Sequence, residues 1–128
     1  MIKESEILKL FDLWNDAVKS GTASNVVKLY SKDAILLPTV SNRVRHNHEE
    51  IGDYFEHFLS RKPEGTIDEA NIRVSGDIAV NSGLYTFTFA LGSPQTVHAR
   101  FTFVYRRTGG EWSIIEHHSS AMPEKDVK

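Results

Sequence analysis

Residues 99–123 read ARFTFVYRRTGGEWSIIEHHSSAMP, and the way this stretch lies down decides the fold. Its first half alternates aromatic and polar residues, the mark of a strand with two unlike faces. The pair Gly109-Gly110 supplies a tight turn, and EWSIIEHHSS climbs back as a second strand. Together with the preceding TVH, one side of the first strand carries Val97, Ala99, Phe101, Phe103 and Tyr105. The other carries His98, Arg100, Thr102, Val104 and Arg106. A strand wetted on one side shows only polar residues there, yet Val104 is apolar. Ile114 and Ile115 point opposite ways on the returning strand, so both faces of the sheet bury something. Helices cover one face. A second copy of the chain is the expected cover for the other.

Working outward, the upstream chain supplies those helices. Ile7, Leu10, Phe11, Trp14, Ala17 and Val18 fall at helical spacing, and Lys19-Ser20-Gly21 supplies a cation and a glycine stop. Thr22 is the expected N-cap of a short second helix carrying Val26, Val27 and Tyr30. DAILLPTV and NRVRHN read as strands either side of a turn at Ser41-Asn42, with Pro38 marking an edge or a bend. Asn47 followed by Glu50 resembles a capping box and opens a third helix with the stripe Ile51, Tyr54, Phe55, Phe58 and Leu59. TIDEANIRV and IAVNSGLYTFTFAL then add two strands before the terminal hairpin. Helices first and a meander after predict an α+β fold over residues 1–128 as one domain.

Composition narrows the function. A chain of 128 residues with a formal net charge of −2 lacks the basic footprint of a nucleic-acid or anionic-membrane binder. It has no cysteine, which excludes disulfides and thiolate metal sites. No stretch reaches the roughly 20 apolar residues of a membrane helix. MIKESEILKLFDLW lacks the unbroken apolar core of a signal peptide, so a cytoplasmic protein is expected.

The order of elements, the helix-borne Trp14, the stretch SGTASNVVKLYSKDAILLP and the terminal hairpin resemble the nuclear transport factor 2-like, or SnoaL-like, superfamily. More narrowly, VHARFTFVYRRTGGEWSIIEHHSSAMP is similar to the terminal hairpin of the calcium/calmodulin-dependent protein kinase II association domain. It is closer still to that domain's free-standing bacterial relatives of the SgcJ/EcaC type. The likeness runs from about Ser5 to Pro123. It implies a cone: three N-terminal helices packed into a strongly curved, mainly antiparallel sheet, with a pocket between them. In the kinase, such cones assemble subunits into a ring. Neither a kinase domain nor phosphoryl transfer is expected of this chain. The kinase pocket carries arginines where this chain aligns Tyr85, Phe103 and Ser119. The oxidoreductase label borne by some relatives has no counterpart here: there is no GxGxxG, no flavin motif and no thiol.

The resemblance also assigns faces to the last strand. With Phe103 and Tyr105 toward the helices, Ile115, His117 and Ser119 lie beside them, while Ile114, Glu116, His118 and Ser120 face away. Neighbours on a strand point to opposite sides, so His117 and His118 do not share a metal. Two readings of His117 follow: a hydrogen-bonded histidine in a partly buried polar cluster, or a ligand-binding or acid/base group in an aromatic cone. Trp14, Tyr54, Tyr85, Phe87 and Phe103 complete the expected lining, with Ser119. Arg43 and Arg45 share one side of a short strand at the rim, either as exposed edge charges or as a clamp for a carboxylate or phosphate. Arg100, Thr102, Val104, Ile114, Glu116, His118 and Ser120 form the expected interface.

Two alternatives are thereby set against each other. One is a self-associating cone that holds a small organic ligand, with itself and that ligand as partners and with no cofactor, metal, nucleic acid or membrane. The other is a SnoaL-like cyclase, isomerase or dehydratase using His117 as acid/base. A serine nucleophile has no GxSxG elbow behind it, and His46 and His48 sit where Asn47, Glu49 and Glu50 read as a helix start.

Overall fold

The computed structural model describes residues 2–124. Its order is α1 (Glu4–Lys19), α2 (Ala23–Val27), β1 (Tyr30–Leu37), α3 (His48–Leu59), β2 (Pro63–Ser75), β3 (Ile78–Phe89), β4 (Thr96–Thr108) and β5 (Glu111–Ala121). The strands form one curved, open sheet in the order β1-β5-β4-β3-β2. β2 to β5 run as an antiparallel meander, and β1 pairs parallel to β5. This is the expected α+β cone. Among the described residues no helix is long and apolar enough to cross a membrane.

Helix α1 buries Ile7, Phe11, Trp14 and Val18, four positions of one stripe, against the concave face of the sheet. Asn15 fastens it there: its side-chain amide donates to the Gly65 carbonyl and its carbonyl accepts from the Gly65 amide, each at 2.9 Å. Helix α3 begins as read, with the Asn47 side chain accepting from the Glu50 amide at 2.9 Å. The Glu50 carboxylate reaches back one residue further than a capping box, to the His46 amide and ring.

Three local expectations are corrected. Helix α2 stops at Val27, and Tyr30 opens strand β1 instead of closing that helix. The Leu29 carbonyl accepts from the Ile114 amide at 2.9 Å, so sheet pairing captures the chain before another helical turn forms. NRVRHN is no strand: only Arg45 pairs, through reciprocal 2.9 Å bonds with Leu36. A bend at Asn42 and the cap at Asn47 take up its other residues. The third correction lies in the hairpin. Gly109 and Gly110 take positive φ (59° and 82°), the left-handed conformations of a two-residue turn, and Thr108 pairs with Glu111. Past the turn Tyr105 pairs with Ile114, yet Val104 pairs with Glu116. The residue between, Ile115, is a β-bulge. Ile114 therefore faces the core at 2% exposure and leaves the expected interface, while Ile115 is only half-buried.

A second bulge, at Asp68 in β2, draws the backbone of β2 close to β3. A Cβ built on Gly83 would stand 2.0 Å from the Glu69 carbonyl oxygen. That contact is backbone to backbone, and no side-chain rotation relieves it. Gly83→Ala is expected to destabilise the protein by about 1–3 kcal/mol, the usual cost of forcing atoms into a packed site. The midpoint of urea unfolding reads this directly; an unchanged midpoint overturns it.

Candidate functional site

Between the concave sheet face, α3 and the loop after β1 lies a cavity of about 250 Å³. Its deep end is walled by Trp14, Tyr85, Phe87, His117 and Ser119, all buried. Its outer part is formed by Thr39, Ser41, Arg45, Tyr54, Phe58 and Arg61. Among the described residues no Asp or Glu lines it.

The deep polar groups are tied into one line. The Trp14 indole donates to the Tyr30 hydroxyl at 3.1 Å, and that hydroxyl lies 2.8 Å from His117 Nδ1. His117 Nε2 is 3.3 Å from the Tyr85 hydroxyl, which donates to Ser119 Oγ at 2.6 Å. Ser119 in turn bonds the Thr39 hydroxyl. The imidazole stacks on Phe103 with ring centroids 4.0 Å apart and meets Trp14 edge-on at 5.7 Å. Burial in this aromatic setting, with a smaller push from neighbouring His118, lowers the His117 pKa from 6.5 to about 3. Burial also holds the Tyr30 and Tyr85 hydroxyls well above their ordinary 10. Tyr54 is pushed up to about 12 by burial, partly offset by Arg45. At neutral pH the deep site is polar and uncharged.

Of the residues expected to line the pocket, Trp14, Arg45, Tyr54, Tyr85, Phe87, His117 and Ser119 do border the cavity. Phe103 does not. It is fully buried behind His117, as the ring on which the imidazole rests. Arg43 is also elsewhere, in a separate hollow shared with His118 and Ser120 on the other side of the Thr39–Ser119 contact. Arg45 alone turns inward. Its guanidinium lies 5.2 Å from the Tyr54 ring centre and donates to Ser41 Oγ at 2.6 Å and the Arg43 carbonyl at 2.5 Å. A two-arginine clamp does not form, because Arg43 borders the separate hollow and only Arg45 the cavity. Among the described residues no group of three His, Asp or Glu is placed to hold a metal. His48 instead bonds the Tyr30 carbonyl at 2.7 Å. The sequence reading missed Tyr30, which meets His117 across 87 positions, and the loop hydroxyls of Thr39 and Ser41. No local pattern flags such contacts.

On the convex face Arg100, Thr102 and Val104 pair with Ser120, His118 and Glu116. Val80, Ser82 and Leu84 of β3 lie alongside, as do Ile35 and Leu37 of β1. The aliphatic members are half-buried, and the helices pack on the opposite face.

Residues 3–123 match the model of the calcium/calmodulin dependent protein kinase II association domain. The chain belongs to this family. A crystal structure of a Xanthomonas campestris protein named for the same association domain is 47% identical, with a TM-score of 0.91 over 97% of this chain and 91% of that one. An NTF2-like protein of unknown function from Pseudomonas putida KT2440 superposes at a TM-score of 0.81 with 22% identity, over 96% of this chain and 89% of its own. A Streptomyces avermitilis member of the NTF2-like family, whose name proposes a dehydratase, gives 0.82 at 15% identity, over 94% and 96%. The last two likenesses are of fold. No curated protein matches the association-domain chain.

The depressed His117 pKa has a consequence for stability. Between about pH 3 and 6.5 the unfolded chain binds a proton at this ring and the folded chain does not. Stability therefore rises with pH across that window and is independent of this group above it. The contribution is at most about 1.4 kcal/mol per pH unit. His117→Gln is expected to flatten the dependence between pH 6.5 and 5, measured by urea unfolding. Parallel profiles for the two proteins overturn the assignment.

Proposed function

We propose that this association-domain chain is a self-associating cone whose cavity holds a small organic ligand, acting in the cytoplasm. The observation that carries self-association is the convex face. A sheet that sets Val80, Leu84, Val104, Ile35 and Leu37 on the side without helices buries them fully only against another surface. Around these aliphatics stand Arg100, Thr102, Glu116, His118 and Ser120, a polar set of both charge signs. Such a patch is self-complementary under two-fold symmetry, the commonest arrangement of soluble oligomers. The relative from Xanthomonas campestris and the family's own name support association. The ligand reading rests on the cavity itself: mostly aromatic walls, a few convergent polar groups and a volume at the small end for an organic ligand.

The acid/base alternative has less behind it. A histidine that stays neutral to about pH 3 is a poor proton acceptor at neutrality. Both its nitrogens are engaged by tyrosines, and the adjacent carboxylate, Glu116, lies on the convex face.

Native mass spectrometry with sedimentation tests both halves. The wild type is expected as an oligomer carrying a small bound mass. Val104→Asp, which sets carboxylates against each other across a symmetric contact, is expected to give folded monomers. Tyr54→Ala, which removes a cavity wall, is expected to lose the bound mass while remaining oligomeric. A monomeric wild type overturns self-association. Equal bound mass in wild type and Tyr54→Ala overturns the ligand assignment.

A further inference from the structure

The line of groups from Trp14 to Ser119 has a direction, fixed by counting protons. An indole N–H only donates, so the Tyr30 hydroxyl is its acceptor. Tyr30 has one proton of its own, and His117 Nδ1, at 2.8 Å, is its other neighbour. Were Nδ1 the donor, the proton of a fully buried tyrosine would be left without an acceptor, a cost of about 1–3 kcal/mol. Tyr30 therefore donates and Nδ1 is bare. A neutral imidazole with a bare Nδ1 carries its proton on Nε2, which faces the Tyr85 oxygen. Tyr85 passes its own proton to Ser119. The Ser119–Thr39 bond is compatible with either donor; since Ser119 Oγ already accepts from Tyr85, its own proton is assigned to Thr39. The Thr39 hydroxyl proton is the one left over, and Thr39 borders the cavity.

We propose that the Trp14 indole orients this whole chain, so that the cavity presents a free Thr39 proton and selects ligands whose polar head accepts hydrogen bonds, a carbonyl or a carboxylate. The inference rests on the cavity being a ligand site. The neighbouring groups agree with it. Arg45 and Arg61 are donors without acceptor capacity, and among the described residues no carboxylate lines the wall to receive a ligand's proton. His57, whose Nδ1 bonds the Asp53 carbonyl at 2.9 Å, offers an Nε2 acceptor at the exposed rim, away from the Tyr85 and Ser119 end. Trp14 is thus a positioning residue. It acts on the ligand through four intervening side chains and sets the polarity of a hydroxyl in the loop after β1.

The tautomer is read first, without any ligand. In the full chain with nitrogen-15 histidine, long-range correlation spectra are expected to show His117 with its proton on Nε2 and Nδ1 bare from pH 5 to 8. Tyr30→Phe, which cuts the chain while keeping the ring, is expected to lose that single tautomer. A proton on Nδ1 in the wild type, or a ring that titrates near pH 6.5, overturns the ordering. The selection is read next, with acetophenone and α-methylstyrene, which share a shape and differ in carbonyl against methylene. Thr39→Val is expected to weaken acetophenone roughly fivefold, within the usual worth of one neutral hydrogen bond. It is expected to leave α-methylstyrene unchanged. Equal effects on both probes overturn the donor assignment while the cavity remains a ligand site. Benzoate, added as a third probe, binds more tightly than acetophenone if the head is a carboxylate and less tightly if it is a neutral carbonyl. Failure of all three to bind overturns the ligand reading and with it the selection, and leaves the tautomer to be judged by its own spectrum.

Discussion

A single inserted residue in the last strand sets the chemistry of both faces of this protein. Near the turn, Tyr105 pairs with Ile114; beyond Ile115, Val104 pairs with Glu116. Side chains along a strand alternate strictly, so a one-residue slip sends every later side chain to the opposite face. Without the bulge, the pairing begun at Ile114 would turn Glu116 and His118 into the aromatic core and put His117 and Ser119 outside. A carboxylate there would lose its hydration with no partner in reach. With the bulge, Ile114 fills the core near the turn, and His117 and Ser119 complete the hydrogen-bonded line from Trp14.

That line explains how the cone tolerates so many polar atoms. Tyr30, Tyr85 and His117 are buried, yet each has a partner, and all are uncharged at neutral pH. A buried network of this kind is favourable only when its members are satisfied, and here loop hydroxyls finish what the indole begins. The contrast lies further along the sheet: the Asn81 amide and the Tyr105 hydroxyl are buried without a protein partner among the described residues. Hydrogen bonding is thus concentrated around the cavity, where it orders the groups a ligand would meet.

The two faces of the sheet differ in their chemistry. The concave face has aromatic side chains and a small neutral cavity; the convex face has aliphatics ringed by Arg100, Glu116 and His118. Strand β5 contributes to both, and adjacent residues serve opposite sides. Any shift of β5 against β4 or β1 would be felt in the cavity and on the convex face together. The Thr39–Ser119 contact stands between the cavity and the hollow beside Arg43 and His118.

What the amino-acid sequence determined by itself was everything governed by short-range periodicity and local chemistry. The α1 stripe through Trp14, the Asn47 cap, the Gly109-Gly110 turn and the alternation of β4 depend on residues a few positions apart. Those suffice for an α+β fold; the cone, and the inner placing of Tyr85, His117 and Ser119, rested on the resemblance to the association-domain family. Tertiary structure alone decided the rest. Tyr30 became a strand residue because β5, more than 80 positions away, captures the chain there. Ile114 went inward because the bulge falls after it, a choice between two isoleucines of nearly equal hydrophobicity that only packing can make. Arg43 and Arg45 parted because only Arg45 is held to β1, by its pairing with Leu36. Each outcome depends on distant partners competing for the same backbone, and periodicity carries no record of that competition.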